Sequence, residues 1–486
     1  MTVVLTGSSL TLAELLHVAR DAEQVVLAGD VTARMEDARG VVDRAVERGD
    51  PVYGTTVGVG VRKRFRVDRD AGEFERRLLA DHRVGQGPPA PDDVVRATML
   101  LLANTFASCR PGVRPLLVER LSAALNGGEQ PLVRTLGSAC GDLAPLADLA
   151  WELFADMPLA PKEAISLLGA GAYSTALAAL AVSDATRFAD AAEATAALEL
   201  EAFAANLSVV DRRVVELRPY AGLQAASARL RELLDGSYLW EAGAARNLHD
   251  PLSFRSLPHV HGALRDALAF AQHAVELELN ASQENPVVLP EADALLPTGN
   301  FELLPLAQAL DLLRLALASV LTSGCERGLK LLQAPLSGLP EGLAARPGLV
   351  TCGLSEYAFA LQALTVEARL LAAPVSAEVV STTQAEGIED RLILAGLGAR
   401  RLADQVAAGA RALAIELVLA AQAVDLRGAL PLGAGTARLY ERVRSIVPFV
   451  GEGDPLPPDL EPLVSAVRSG SLGVLPLPDP VAGVSP

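Results

Sequence analysis

Long apolar runs at helical spacing constrain this chain most. They fall at about 256–283, 301–330, 353–372 and 389–427, and another from Pro161 to Leu207 weakens only at Gly169-Ala170-Gly171. Each exceeds the ~11–12 residues of an average helix, so each needs a broad buried stripe or burial all round. The expected architecture is mainly α, a long-helix bundle with a buried central layer. Half of the residues are hydrophobic but only 4% are aromatic. Ala and Leu fill the apolar positions, which favours helix on intrinsic propensity. Shorter helices come first. Thr11 and Glu14 form a capping box before Leu15, Leu16 and Val18. An amphipathic stretch from Thr32 to Glu47 stops at Gly49-Asp50-Pro51, and a charged helix from about Asp70 to Arg83 is broken by Gly85, Gly87, Pro88 and Pro89. Pro91 then opens a helix to about Ser108. Strands are scarce, with Pro286-Val287-Val288-Leu289-Pro290 as a short candidate, and the tail from Pro455 is rich in Pro, Gly and Ser and expected to be partly irregular.

At 486 residues the chain is long enough for two to four folding units. Three regions are expected: 1–200, an N-terminal region of loops and helices; 201–430, the central long-helix bundle; and 431–486, a helix and a Pro/Gly-rich tail. With 42 Lys and Arg against 59 Asp and Glu, the formal net charge is -17. An acidic surface argues against nucleic acid and anionic membrane as partners. Cysteines at 109, 140, 325 and 352 form no CxxC pair, which speaks against a disulfide framework or zinc site and for a reducing cytoplasm. The first residues show no charged segment or cleavage site of a signal peptide. Leu303 to Val320 is interrupted by Asp311 and Arg314 and reads as a buried helix. His259-Val260-His261 has no third ligand in view, and a helix turns the two rings to different faces, so no metal is expected.

The segment Gly137-Ser138-Ala139-Cys140-Gly141-Asp142-Leu143-Ala144-Pro145-Leu146 carries the chemistry. A glycine amide nitrogen can attack the carbonyl two residues back, because glycine tolerates the sharp geometry. Loss of water closes a ring, and loss of the middle side chain's leaving group creates an exocyclic alkene. Serine would lose water; Cys140 would lose hydrogen sulfide. Taken alone, Ala-Cys-Gly reads more readily as a small buried thiol in a Gly-rich turn than as a ring precursor. Its surroundings change the weighting. The segment resembles the histidine/phenylalanine ammonia-lyase and aminomutase family, in which Ala-Ser-Gly precedes Asp-Leu-Ala-Pro-Leu and cyclises to methylidene-imidazolone (MIO). Other blocks resemble that family in order: Tyr53-Gly54 through Gly58-Val59-Gly60, Pro111-Gly112-Val113-Arg114-Pro115, Lys162-Glu163-Ala164, Asp250-Pro251-Leu252-Ser253-Phe254-Arg255, Asn285-Pro286, Gly299-Asn300-Phe301, and Ala414-Ile415-Glu416-Leu417 with Ala421-Gln422-Ala423.

The resemblance implies an amino acid substrate, elimination of ammonia or migration of the amine, and a prosthetic group made from Ala139, Cys140 and Gly141, with no metal and no nucleotide. It implies Tyr53 as the base in a lid-like loop and Arg255 as a two-pronged clamp on the substrate carboxylate. His82 stands at the family's side-chain selectivity position; a structural histidine fits equally. Phe301 is a pocket wall or core packing, and Glu386 in Gln384-Ala385-Glu386-Gly387 matches the family's Gln-Glu pair near the amine. It further implies a homotetramer with active sites shared between subunits. The chain departs from the pattern at Cys140 for Ser, Gly169 for a ring-bonding Asn, Leu252 for a second Tyr and His249 for Gln. His249 either compensates for the lost phenol or fills space. These changes leave open a second reading, a relative without the electrophile that uses Cys140 as an intact thiol for other chemistry in specialised metabolism.

Overall fold

The computed structural model describes residues 2–67, 71–138, 141–350, 352–377 and 384–472; Ala139 and Cys140 lie outside them. Naming strands, and helices of six residues or more, the order is β1 (Thr2–Leu5), α1 (Leu12–Arg20), β2 (Gln24–Leu27), α2 (Val31–Arg48), α3 (Ala71–His82), β3 (Gln86–Pro89), α4 (Asp92–Ala107), α5 (Pro115–Gly127), β4 (Arg134–Leu136), α6 (Leu143–Phe154), α7 (Glu163–Leu168), α8 (Ala172–Phe203), α9 (Ala221–Leu233), α10 (Leu257–Glu278), β5 (Val287–Leu289), β6 (Ala294–Leu296), α11 (Leu304–Leu331), α12 (Tyr357–Leu370), α13 (Ala395–Arg427), α14 (Ala434–Ile446) and α15 (Glu461–Ser469). The fold is mainly α, as the apolar spacing predicts. β1 and β2 pair in parallel, while β3–β4 and β5–β6 are antiparallel.

Two compact units emerge. One comprises Met1–Leu180, Gln272–Leu310 and Pro374–Arg400; the other comprises Ala181–Ala271, Asp311–Ala373 and Arg401–Pro486. In the first, the Thr11 hydroxyl accepts the Glu14 N–H at 3.2 Å, and the Glu14 carboxylate accepts the Thr11 N–H at 2.9 Å. This reciprocal capping box starts α1. Gly49, with φ 70°, ends α2 in the left-handed conformation that a helix C-terminus favours. The stretch 85–89, which reads in the sequence only as a helix break, forms β3 against β4, with Gln86 opposite Leu136 and Pro89 opposite Arg134. Proline is tolerated in so short and sparse a ladder. β4 leads into the triad segment and α6 leaves it. Asp148 of α6, fully buried, accepts the Arg134 N–H at 3.1 Å and faces its guanidinium at 3.2 Å. Both flanks of the triad are thereby tied together.

The second unit buries ion pairs between helices: Arg327 of α11 with Glu199 of α8 at 2.5 Å, and Arg265 of α10 with Glu193 of α8. His261 is fully buried and His259 is exposed, so the two rings do face apart. Burial holds the His261 imidazole well below its ordinary pKa. Glu163–Phe203, Leu304–Leu331 and Ala395–Arg427 are long and apolar enough to cross a membrane, yet 94%, 56% and 83% of their most apolar windows are buried in the fold. The lower value for α11 reflects an outer face on which Leu312 and Leu315 remain exposed. Cys109, Cys325 and Cys352 are free thiols.

Candidate active site

A cavity of about 180 Å³ in the first unit is lined by residues from seven separate stretches of chain. The first is the Tyr53 loop. Val52 O accepts the N–H groups of Thr55, Thr56 and Val57 within 3.1 Å, and the Thr56 hydroxyl accepts the Val52 N–H at 2.7 Å, so the loop is wound tightly on itself. Gly54 (φ 65°) lies so close to Ile165 that a Cβ would stand 2.9 Å from its side chain. The loop then returns, and the Gly60 N–H donates to the Tyr53 phenol oxygen at 2.9 Å.

His82 closes α3 and enters the same cavity. Its Nδ1 lies 2.8 Å from the Leu78 carbonyl oxygen. A carbonyl only accepts, so Nδ1 carries a proton, which leaves Nε2 as the acceptor whenever the ring is in its neutral form. Phe301, from the segment before α11, forms part of the wall. Gly141 and Asp142 stand at the start of α6, and Gly169, Ala170 and Gly171 stand between α7 and α8. The cavity therefore meets the N-termini of two helices, where partial positive charge collects. Asp142 is buried and accepts the Ser174 N–H at 2.7 Å and its hydroxyl at 2.5 Å. Burial outweighs those bonds and pushes its carboxyl up to about 6.

Glu386 does not join this group. It is exposed and faces Lys63 Nζ at 3.9 Å, whereas Glu389, three residues on, lines the cavity. Ala385 and Glu386 both take left-handed backbone conformations, φ 52° and 59°, which turns the chain before it reaches the wall. Glu389, Leu168 and Asn285 are lining residues that sequence reading misses as site residues; the Glu389-Asp390 acidic pair was an available signal. Arg255, His249 and Leu252 belong to the second unit. Arg255 is exposed and its Nε donates to the Asp250 carbonyl at 2.8 Å. His249 is exposed. Leu252, 65% exposed, borders an open groove of about 790 Å³ in that unit.

The triad's described member suits ring formation. Gly141 has φ 69°, and a Cβ there would meet only Ile393 Cδ1, at 3.9 Å. The Ser138 hydroxyl donates to the Gly141 carbonyl at 2.5 Å, which holds the flanks of Ala139 and Cys140 close. These features fit a prosthetic group built from the chain at this point.

The sequence pattern of the aromatic amino acid lyases matches residues 10–157 and 152–445. Histidine ammonia-lyase of Geobacillus thermodenitrificans is 34% identical over 475 residues, covering 92% of this chain and 94% of that protein. The enzyme of the same name from Symbiobacterium thermophilum is 34% identical over 498 residues, covering 97% and 98%. Among solved structures, the ergothioneine-degrading ergothionase of Treponema denticola, crystallised with desmethyl-ergothioneine sulfonic acid, matches with a TM-score of 0.91 at 27% identity, covering 97% of this chain and 99% of that one. Tyrosine aminomutase of Streptomyces globisporus matches with a TM-score of 0.89 at 27% identity, covering 97% and 98%. Agreement in sequence and in backbone over nearly the full length leaves one conclusion: this chain belongs to the aromatic amino acid lyase family.

Proposed function

We propose that this chain eliminates ammonia from an aromatic or histidine-like amino acid, or shifts its amine, with an MIO group formed from Ala139, Cys140 and Gly141. One observation carries the reading: Tyr53, His82, Phe301 and Gly141 meet in one cavity at the starts of α6 and α8. When formed, the group supplies an electrophilic alkene that makes the amine a better leaving group. Tyr53 takes the weakly acidic proton beside the amine. A phenol titrates near ~10 in water, and the Gly60 N–H donates to the Tyr53 oxygen at 2.9 Å, which keeps that oxygen oriented in the cavity. His82 presents Nε2 as an acceptor, which favours a side chain ending in an N–H or O–H donor. Phe301 gives an apolar wall, and Glu389 a carboxylate for the substrate ammonium.

Arg255 clamps the substrate carboxylate as a residue of another copy in a homotetramer. Its exposure supports this, as do the uncovered Leu312, Leu315, Phe359, Val366 and Leu370 of the second unit. The three free thiols suit a cytoplasmic setting.

Gly169 in the cavity wall favours a second reading. It brings no side-chain donor where the family resemblance places an Asn, and losing one donor to a developing charge costs on the order of 10²–10³ in rate. On that reading Cys140 stays a thiol and the cavity serves other chemistry. Intact-mass spectrometry separates the two. Ring formation removes one water and one hydrogen sulfide and leaves Cys140 without a thiol for iodoacetamide. An unshifted mass with alkylated Cys140 would overturn the first reading.

A further inference from the structure

The helix that delivers His82 to the cavity is gripped by a carboxylate with no part in the chemistry above. Glu75 is fully buried on α3. Its Oε1 accepts the Lys162 N–H at 2.9 Å and its Oε2 accepts the Ala164 N–H at 2.6 Å. These amides open α7 and belong to the first turn, where backbone donors lack intrahelical acceptors. α7 is itself anchored. The Lys162 ammonium, fully buried, donates to the Pro111 carbonyl at 2.8 Å, to the Ser166 hydroxyl at 3.0 Å and to Glu284 Oε1 at 2.7 Å. Ile165 and Leu168 of this fixed helix line the same cavity as His82.

Glu75 and His82 are seven residues apart on one helix, two turns along the same face. We propose that Glu75 is a positioning residue: by holding α3 to the start of α7 it sets the distance between His82 and the Ile165–Leu168 wall, and so the side chains the cavity accepts. This rests on the reading that His82 faces the substrate side chain. The lever is about 10 Å long at the ordinary helical rise, so a tilt of α3 by ~5° moves His82 by ~1 Å, and a misplacement of that size costs up to ~10²-fold in rate. Leu78 and Leu79 supply the apolar adhesion of α3. Apolar contact is non-directional, whereas two N–H bonds to one carboxylate fix the rotation of the helix.

The test uses the full-length protein carrying Glu75→Leu, with Glu75→Gln as the conservative variant and His82→Ala as the background. Fold is monitored by circular dichroism. The first readout is the ratio of kcat/KM for L-histidine to that for L-phenylalanine. Glu75→Leu is expected to change this ratio ~10-fold or more, mainly through KM. Glu75→Gln keeps an acceptor and shifts it threefold at most, and in His82→Ala protein Glu75→Leu leaves the ratio alone. The second readout needs no turnover: the rate at which diethyl pyrocarbonate modifies His82 relative to exposed His17, followed by peptide mass spectrometry. This relative rate is expected to rise at least threefold in Glu75→Leu. Should that variant fail to fold, Glu75→Asp, which withdraws the carboxylate by one methylene, takes its place with the same expectations. An unchanged relative rate overturns the proposal, as does an equal fall for both amino acids or the same shift without His82. Absence of turnover in the unaltered protein, with the His82 rate still responding to Glu75, counts against the proposed reaction and leaves the positioning role standing.

Discussion

A phenol beside an aliphatic C–H is an unpromising base until something lowers the cost of its charge. In the proposed reaction that phenol is Tyr53, and the Gly60 N–H donates to its oxygen from a loop that closes on itself through Thr56 and Val52. Removing the phenol oxygen takes away the acceptor and leaves the ring and the loop. Tyr53→Phe is therefore expected to lower kcat by ~10²–10⁴-fold, the usual worth of a positioned acid–base group. The urea midpoint should stay within error of the parent's. A variant retaining more than a tenth of the parent rate would remove Tyr53 from the base role. Tyr53, Gly141 and Phe301 each sit in a motif whose neighbours match in kind and order, whereas His82 is marked by its position alone, with a structural histidine equally open; the fold brings all four to one cavity. The acidic residue was not legible in the sequence. Glu386 and Glu389 lie three apart in one short segment, and their positions separate only through the left-handed turn at Ala385 and Glu386, a backbone choice that L-residues rarely advertise.

Helix α7 shows how a short element can be held by charge in place of length. Six residues do not make a stable helix alone, yet Lys162 before it is fully buried and paired with Glu284, itself 1% exposed. Burial pulls the Lys162 ammonium below its ordinary range, and Glu284 opposes that pull. Lys162→Met keeps the aliphatic stem and leaves Glu284 buried without its cation. Breaking such a pair costs ~3–5 kcal/mol. The pH dependence has a definite sign. Lys162 folds with a pKa below its unfolded value, so between the two the unfolded parent binds more protons and the parent gains stability as pH rises, a gain that the Met variant lacks. Urea unfolding should thus show a larger deficit against the parent at pH 8 than at pH 5; a deficit that shrinks with rising pH would disprove the pairing. The long helices were readable because a 3.6-residue apolar period repeated over 14 to 33 residues has no other solution. The parallel pair β1–β2 and the proline-bearing β3 were not, since four residues carry too little period and the pairing partners are distant in sequence.

The two compact units interleave along the chain, and four long helices, α8, α10, α11 and α13, contribute residues to both. Tyr53 falls in one unit and Arg255 in the other. If copies of the chain assemble so that a site takes Tyr53 from one subunit and Arg255 from another, inactive variants must rescue each other. Co-expressed Tyr53→Phe and Arg255→Leu chains, carrying different tags and purified through both, form mixed oligomers. A subunit with Arg255→Leu still offers Tyr53, and one with Tyr53→Phe still offers Arg255. With random mixing about a quarter of the sites receive an intact pair, so the hybrid should recover roughly a quarter of the parent kcat while each variant alone stays near background. Were both residues drawn from the same subunit, every site in every hybrid would carry one lesion and no activity would return. The apolar surface left open at Phe359, Val366 and Leu370 gives the assembly a physical reason to form, because exposed patches of that kind rarely persist on a monomer. Rescue in the hybrid then measures whether covering that surface also completes the site.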